Sequence, residues 1–210
     1  MICVSLANIN FQECMKAIGK AEFAEIRIDQ LDLSDDQLKS LFSIKKKTVA
    51  TCRPGKLDDA QRFKLLKLAI NAGTGYVDIE YEANSAFRKE LIELARTNHT
   101  QVIISYHNFD KTPLTKDLND IIKQSVKWGA NKVKITTMAK TPADCSRIMS
   151  LYEKNKNLIA FCMGQMGTIT RVAAPLLGAD FTYAALEPKL ATAPGQLIVD
   201  EMMDIYKMMR

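Results

Sequence analysis

The sequence predicts an α/β fold, a (β/α)8 TIM barrel formed as one compact domain over residues 1–210. Eight short runs of apolar and β-branched residues are separated by longer segments with helical spacing. Such alternation favours parallel strands joined by right-handed helical crossovers. Eight units within 210 residues would make a compact version of this barrel, which typically takes about 250 residues.

The eight predicted strands contain most of the apolar, β-branched segments. They are residues 2–6, 25–28, 48–52, 76–81, 102–106, 132–137, 158–163 and 181–186. The first segment, MICVSLANIN, lacks a basic leader and a small-residue cleavage site. We therefore expect the first strand there and not a signal peptide.

Five helices are predicted from apolar residues that recur on one face. They are residues 58–72, 85–96, 114–128, 142–154 and 196–209. Pro142 suits the first turn of a helix, and Pro194 with Gly195 breaks the chain before the last helix. Gly129 and Gly178 stand where helices are expected to end.

The main alternative fold is an open, doubly wound sheet. That fold expects a glycine-rich fingerprint directly after the first strand. The residues after Leu6 are Ala-Asn-Ile-Asn-Phe, without a glycine. The closed barrel is therefore the favoured prediction.

Composition excludes several classes of function. Hydrophobic residues make up 47% of the chain, yet no segment approaches the length of a membrane helix. The net charge is +5, but Lys and Arg are dispersed except for Lys45, Lys46 and Lys47. We expect no nucleic-acid or membrane partner, although a mild positive field would attract an anionic small molecule.

The five cysteines are odd in number and irregularly spaced, with no CxxC pair. Zinc sites and disulfide frameworks are therefore not expected. Cys3, Cys52 and Cys162 fall within apolar runs and are interpreted as small core residues. This usage is typical of a reducing, cytoplasmic setting.

Several predicted strands carry charged residues on one face and apolar residues on the other. Glu25 and Arg27 share a face because strand side chains alternate in direction, and the fourth and sixth strands repeat the pattern. The outside of a barrel packs on helices, so we expect the charged face to point inward, near the carboxyl ends of the strands. Structural ion pairs are the alternative, above all for Asp78 and Glu80. The predicted inward residues are Ser5, Glu25, Arg27, Arg53, Asp78, Glu80, His107, Lys134 and Met163.

Lys134 and His107 are the candidate catalytic residues. Lys134 lies in the middle of an apolar strand, where burial and nearby cations would lower its pKa and yield a nucleophilic amine. Lys132 shares its face but is expected at the opposite rim. His107 ends the neighbouring strand and is a candidate acid and base, with a core or capping role as the alternative. The other histidine, His99, is expected to be solvated.

A candidate anion site follows the last two strands. Met163 ends the seventh strand and precedes Arg171, whose guanidinium suits a carboxylate. Thr192 and Gln196 bracket the predicted start of the last helix, where free amides favour anions. A plain helix cap is the alternative interpretation.

Together these segments resemble the type I 3-dehydroquinate dehydratases along the whole chain. The resemblance rests on Glu25-x-Arg27, Arg53, Ser-Tyr-His107-Asn-Phe, Val-Lys134-Ile, Met163-Gly164 through Thr170-Arg171, and Ala193-Pro194-Gly195-Gln196. It implies an enzyme of the shikimate pathway of aromatic amino acid biosynthesis, acting on 3-dehydroquinate without a metal or organic cofactor. A homodimer is also expected.

The resemblance implies a role for each candidate. Lys134 would form a Schiff base with the ketone, and His107 would act as general base and acid in a syn elimination of water. The implied substrate-binding residues are Ser5, Glu25, Arg27 and Arg53, with Met163, and Arg171, Thr192 and Gln196 for the carboxylate. The loop after Arg53 lacks the acidic pattern of the family, so the carboxylate that orients His107 stays open among Asp58, Asp59 and Glu80.

Two other functions use the same residues. Another Schiff-base barrel lyase, of the aldolase or transaldolase type, would share Lys134 but would need a phosphate site after the last two strands. A non-catalytic module would bind small carboxylates without turnover.

Overall fold

The computed structural model describes residues 1–209, which alternate strand and helix eight times. The strands are β1 (Ile2–Leu6), β2 (Phe23–Arg27), β3 (Lys47–Thr51), β4 (Tyr76–Glu80), β5 (Gln101–Asn108), β6 (Lys132–Met138), β7 (Leu158–Met163) and β8 (Thr182–Ala185). The helices are α1 (Phe11–Lys20), α2 (Asp35–Phe42), α3 (Asp59–Asn71), α4 (Ser85–Thr97), α5 (Thr115–Trp128), α6 (Pro142–Ser150), α7 (Thr168–Leu176) and α8 (Val199–Met208).

The strands form one parallel sheet in the order β7-β6-β5-β4-β3-β2-β1-β8, curled into a TIM barrel. The predicted fold class is confirmed. The ring is nearly closed, because within residues 1–209 no hydrogen-bonded ladder joins β7 to β8. Across this β7–β8 seam the rings of Phe161 and Tyr183 lie with their centroids 6.1 Å apart.

Two apolar layers explain why the strands alternate as they do. Outward side chains such as Ile26 and Ile135 pack between the sheet and the helices. Inside the barrel, Phe23, Tyr76 and Phe181 fill the half nearer the amino ends of the strands. The opposite half of the interior is polar, and the predicted inward direction of the charged faces is confirmed.

Three helices were not predicted: α1, α2 and α7. Helices α1 and α2 are only 10 and 8 residues long and bury three residues each, so their apolar repeat is short. Both begin with a capping box, Asn10 with Glu13 and Ser34 with Gln37, in which each side chain bonds the backbone N–H of the other. That local signal identifies their starts better than periodicity does.

The predicted start of the last helix is wrong. Helix α8 begins at Val199, after Ile198 as its N-cap, and Gln196 lies in the preceding loop. Thr192 accordingly does not cap α8, and Gln196 instead accepts hydrogen bonds from the backbone N–H and hydroxyl of Thr192. The segment 142–154 is also shorter as a helix, because α6 ends at Ser150.

The five cysteines are buried free thiols. Burial raises the pKa of Cys52 and of Cys162 to about 12, so both stay protonated near neutral pH. Their predicted role as small core residues fits this placement.

No helix within residues 1–209 has both the length and the apolar character that crossing a bilayer requires.

Candidate active site

A cavity of about 450 Å³ opens at the carboxyl ends of the strands. The two predicted catalytic residues and the eight predicted substrate-binding residues all line it: Ser5, Glu25, Arg27, Arg53, His107, Lys134, Met163, Arg171, Thr192 and Gln196. Residues 191 positions apart in sequence meet here because parallel strands all end at the same rim. The structure therefore brings together every side chain of the predicted site.

Lys134 lies at the floor of this cavity. It is in the middle of β6, opposite Ser105 of β5, and is 6% exposed. Its Nζ atom lies 3.8 Å from Oε1 of Glu25, 3.7 Å from Oδ2 of Asp78 and 3.8 Å from the centre of the Tyr183 ring. The amine is therefore held away from bulk water, against two carboxylates and an aromatic face.

The pKa of Lys134 is lowered from its ordinary value of 10.5. Burial is the largest cause, because it disfavours the ammonium form. Glu25 and Asp78 oppose the shift, while Arg53 and Arg27 add to it. The free amine is consequently more populated near neutral pH than for a lysine in water.

His107 lies beside Lys134 at the end of β5, in register with Thr136 of β6. Its pKa is well below 6.5 because burial, Arg53 and Lys134 all disfavour the imidazolium, against the attraction of Asp78. The imidazole is therefore neutral near pH 7 and able to accept a proton. Phe109, which is 61% exposed, stacks on the imidazole with ring centroids 6.3 Å apart.

The three candidates for orienting His107 are engaged elsewhere. Asp58 caps α3 by accepting a hydrogen bond from the backbone N–H of Gln61. Asp59 and Glu80 both pair with Arg62. The carboxylate that acts most strongly on His107 is Asp78, which was not among the three predicted candidates.

Arg53 is fixed at the cavity wall by a buried polar network. Its Nη1 atom donates to Oε1 of Glu80 and to Oγ of Ser105, each at 2.8 Å, and pairs with Oδ1 of Asp78 at 2.9 Å. Burial alone would raise the pKa of Asp78, but Arg53, Lys134 and His107, with a hydrogen bond from Ser105, lower it to about 2. The network is therefore charged at neutral pH, as the ion-pair interpretation of Asp78 and Glu80 expects.

Glu25 is held by two hydroxyls. Ser5 donates to its Oε2 and Thr51 to its Oε1, both at 2.9 Å. The amide nitrogen of Gln196 in turn lies 3.4 Å from the hydroxyl of Ser5. These contacts connect the floor of the cavity to the loop after β8.

Arg27 extends from the end of β2 to the cavity. It makes a forked pair with Asp29, with Nε–Oδ1 at 3.1 Å and Nη2–Oδ2 at 2.7 Å. Asp29 lies in the single turn that follows β2 and so holds the guanidinium against the wall.

Arg171 is a buried cation of the cavity wall whose guanidinium lacks hydrogen-bond partners at two of its nitrogens. It is 1% exposed, and its Nε and Nη2 atoms have no hydrogen-bond partner within residues 1–209. Its guanidinium lies 4.6 Å from the centre of the Phe161 ring. Burial lowers its pKa to about 10, so it remains a cation at neutral pH. Donors left unpaired on a buried cation mark a site for an anion.

Sequence reasoning missed part of the cavity lining. Thr136 and Phe161 lie two residues from Lys134 and Met163, and period-two alternation identifies them. Tyr183 lies on the inner face of β8 by the same rule. The missed lining residues are Gln30, Pro54, Glu82, Phe109, Thr136, Phe161, Tyr183 and Ala193.

The fold and the site together define an enzyme, a TIM barrel with a buried lysine and a neutral histidine at its carboxyl-end cavity. Residues 2–210 match the family described as type I 3-dehydroquinase. The chain is 35% identical to the 3-dehydroquinate dehydratase of Pyrococcus abyssi, over 100% of this chain and 98% of that one. It is 33% identical to the enzyme of that name from Desulfotalea psychrophila, over 98% and 96%. The chain belongs to the type I 3-dehydroquinase family, and the predicted resemblance is confirmed.

Solved structures agree with the fold. The type I 3-dehydroquinate dehydratase of Clostridium difficile superposes with a TM-score of 0.87 at 21% identity, covering 99% of this chain and 91% of that one. The 3-dehydroquinate dehydratase of Aquifex aeolicus gives 0.83 at 29% identity, covering 99% and 98%. The expectation of a hydro-lyase enzyme is confirmed by the family.

Proposed function

We propose that this chain is the 3-dehydroquinate dehydratase of a shikimate pathway, which removes water from 3-dehydroquinate to give 3-dehydroshikimate. The observation that carries the proposal is the buried amine of Lys134, which shares one cavity with His107 and an unpaired Arg171. An amine, a base and an anion site are the three groups that the proposed elimination of water uses.

The first step is imine formation at Lys134. The lone pair of Nζ forms a bond to the ketone carbon, and the resulting carbinolamine loses water to give a protonated imine. The lowered pKa of Lys134 supports this step, because more of the side chain is free amine. The iminium then withdraws electrons and acidifies the adjacent carbon.

His107 carries the proton transfers. Its neutral imidazole takes the proton from the acidified carbon, and the electron pair moves into the iminium to form an enamine. The enamine expels the hydroxyl of the next carbon, which leaves as water with the proton from the imidazolium. Syn geometry lets a single residue serve both transfers. Hydrolysis of the imine then releases the product and the amine.

Substrate positioning falls to the rest of the cavity wall. Glu25, Arg27 and Arg53 would hold the ring hydroxyls, with Ser5 and Met163 completing the wall around them. Arg171 would take the carboxylate, because its unpaired donors suit a forked contact. The proposed remaining carboxylate contacts are Thr192 and Gln196.

The proposed setting is the cytoplasm, which the five buried free thiols support. The homodimer implied by the family stays a prediction, and light scattering of the purified protein measures it.

Reductive trapping tests the proposed function. The protein is mixed with 3-dehydroquinate and borohydride, digested, and mapped by mass spectrometry. We expect a stable adduct on the peptide that contains Lys134, together with enone absorbance in the untreated reaction.

Lys134→Met is the test variant, and Lys132→Met is its matched control. Lys132 lies two residues earlier on the same face, but it pairs with Asp180 and Asn157 at the amino end of the barrel. We expect Lys132→Met to retain the adduct and Lys134→Met to lose both adduct and turnover. No adduct, or an adduct elsewhere, would reject the mechanism.

A further inference from the structure

Thr136 lines the cavity and carries a buried hydroxyl that has no protein partner within residues 1–209. The residue is 3% exposed, and its Oγ1 atom is among the few buried side-chain atoms of residues 1–209 without a hydrogen bond. Burying a hydroxyl without a partner costs free energy, so such an atom calls for an explanation. Because Thr136 lines the cavity, a bound ligand would be able to supply the missing hydrogen-bond partner.

The position of Thr136 is set by the strand on which it lies. It follows Lys134 by two residues, so both side chains face the interior, with Thr136 roughly 6–7 Å nearer the mouth. In the ladder between β5 and β6 it is the register partner of His107. The hydroxyl therefore lies beside both groups to which we assign chemistry.

Several other hydroxyls of the barrel interior are already paired, whereas that of Tyr183, which also lines the cavity, has no partner within residues 1–209. Ser5 and Thr51 donate to Glu25, and Ser105 donates to Asp78. The next residue of β6, Thr137, pairs with the hydroxyl of Thr112 on the outer side. Thr136 differs from the four paired hydroxyls because its donor is free and it lines the cavity.

We propose that Thr136 is a further substrate-contacting residue, whose hydroxyl donates a hydrogen bond to the substrate oxygen on the carbon that Lys134 attacks. This inference rests on the proposed dehydratase function. When Nζ bonds to the ketone carbon, negative charge develops on that oxygen. A donor already fixed nearby and unpaired in the free protein stabilises this charge without reorganising.

The test compares Thr136→Val, which removes only the hydroxyl, with Thr136→Ser, which retains it. We expect Thr136→Val to lower kcat/KM by about 10- to 100-fold, and Thr136→Ser to stay within about threefold of the wild type. The Tm of the free Thr136→Val protein should equal or exceed that of the wild type, because an unsatisfied buried hydroxyl is gone.

Thr182→Val is the matched control. The hydroxyl of Thr182 is also buried and unpaired, but this residue of β8 does not line the cavity. The same substitution there should leave kcat/KM unchanged. Equal losses in both variants would point to a general effect of packing and overturn the inference.

Two further readouts separate a substrate contact from other roles. In a single turnover, Thr136→Val should slow the appearance of the borohydride-trapped adduct while the pH profile of kcat stays in place. A kcat/KM within twofold of the wild type would overturn the inference. So would a displaced pH profile, because the hydroxyl would then act through His107. Absence of adduct and product in the wild type would instead reject the proposed function, and the inference with it.

Discussion

The charge balance around Lys134 sets what this residue is able to do. Its two carboxylate neighbours lie at 3.7 and 3.8 Å, at the long end of the range for an ion pair, and both already accept hydrogen bonds from hydroxyls. They stabilise the ammonium only in part, and burial outweighs them. Near neutral pH, Lys134 is therefore a free amine more often than a lysine in water is. The two carboxylates remain beside it at the floor of the cavity.

The pH dependence of kcat follows from the lowered pKa of His107. In the proposed mechanism Lys134 is held as an imine at saturating substrate, so the acidic limb of kcat should report the imidazole. A base must be neutral, and the pKa of His107 lies well below 6.5. We expect kcat to hold as the pH falls to 6.5 and to decline only below it, in a steady-state profile from pH 4.5 to 8.

His99 supplies the control for this profile. It is exposed, is not among the residues that line the cavity and has φ of 57°, a conformation that asparagine tolerates. His99→Asn should leave the profile unchanged, whereas His107→Asn should abolish turnover. An acidic limb centred above pH 6.5 in the wild type would contradict the assigned environment of His107.

Arg171→Met should separate binding from stability. The substitution removes the proposed carboxylate contact, so kcat/KM should fall by about 100-fold or more. The Tm of the free protein should hold or rise, because a buried guanidinium with unpaired donors is replaced by an apolar side chain.

Arg88→Met is the comparison for Arg171→Met. Arg88 is 8% exposed and lies on α4, 3.5 Å from the centre of the Trp128 ring and away from the cavity. Its loss should lower the Tm and leave kcat/KM unchanged. If both variants changed Tm and kcat/KM alike, Arg171 would be structural.

At this scale the sequence predicted which side chains share the cavity but not which of them pair. Alternation along the strands places Glu25, Arg27 and Lys134 inside the barrel, and this placement does not depend on how the helices are oriented. The partners Asp29 and Arg62 depend on the turn after β2 and on the rotation of α3, which no strand pattern reports. The role of Glu80 as a partner of two arginines was for that reason visible only in three dimensions.

Among the elements, the loop between β8 and α8 has the tightest backbone contact. Gly195 has φ of +72°, and a Cβ atom there would lie 2.7 Å from the carbonyl carbon of Gly164. The backbone N–H of Gly164 also donates to the carbonyl of Pro194. This contact fixes the loop that presents Thr192 and Gln196.

Gly195→Ala should displace that loop. The left-handed φ and the contact with Gly164 both oppose a side chain, which adds roughly 1–3 kcal/mol of backbone strain. KM for the substrate should therefore rise about tenfold or more. Steady-state kinetics with 3-dehydroquinate measure it.

Gly19→Ala is the control at the scale of an element. Gly19 lies inside α1 with open space around its Cα, so alanine should stabilise the protein by up to about 1 kcal/mol. Kinetic constants should not change. An unaltered KM in Gly195→Ala would show that the loop tolerates the side chain.

The ends of several strands were predicted more accurately than the ends of the helices. Strands such as β1 and β7 match the prediction at both ends because an apolar run stops where the barrel interior becomes polar. Helices were harder, since α7 combines nine residues with an internal Pro175 and α8 starts three residues after the expected site. Capping contacts decide such limits, and these are weak signals in a single sequence.

For the molecule as a whole, we expect stability to depend on a cluster of edge-to-face aromatic rings inside the barrel. Phe181 is fully buried and lies 4.7 Å from Phe23, 5.5 Å from Tyr183 and 5.9 Å from Tyr76, measured between ring centroids. These rings close the amino end of the barrel beneath the polar site. They also explain why a compact chain forms a barrel without an open channel.

Phe181→Ala should lower the free energy of unfolding by about 3–5 kcal/mol, because it leaves a cavity among packed rings. Phe109→Ala, which truncates a ring that is 61% exposed, should cost about 0.5 kcal/mol or less. Denaturant titration of both variants gives the comparison. If both variants lost the same free energy of unfolding, the cluster of aromatic rings would not be a main source of stability.

The β7–β8 seam is the place in the barrel, within residues 1–209, where neighbouring strands share no ladder. Strands β5 and β6, which carry His107 and Lys134, are each laddered to neighbours on both flanks, whereas the proposed carboxylate contacts follow the two strands that share no ladder. A sideways shift between these two strands would break no strand ladder within residues 1–209, and it would load the backbone hydrogen bond from Gly164 to Pro194. We therefore expect substitutions along the β7–β8 seam to change which carboxylic acids the cavity accepts. His107 and Lys134, on β5 and β6, would stay in place.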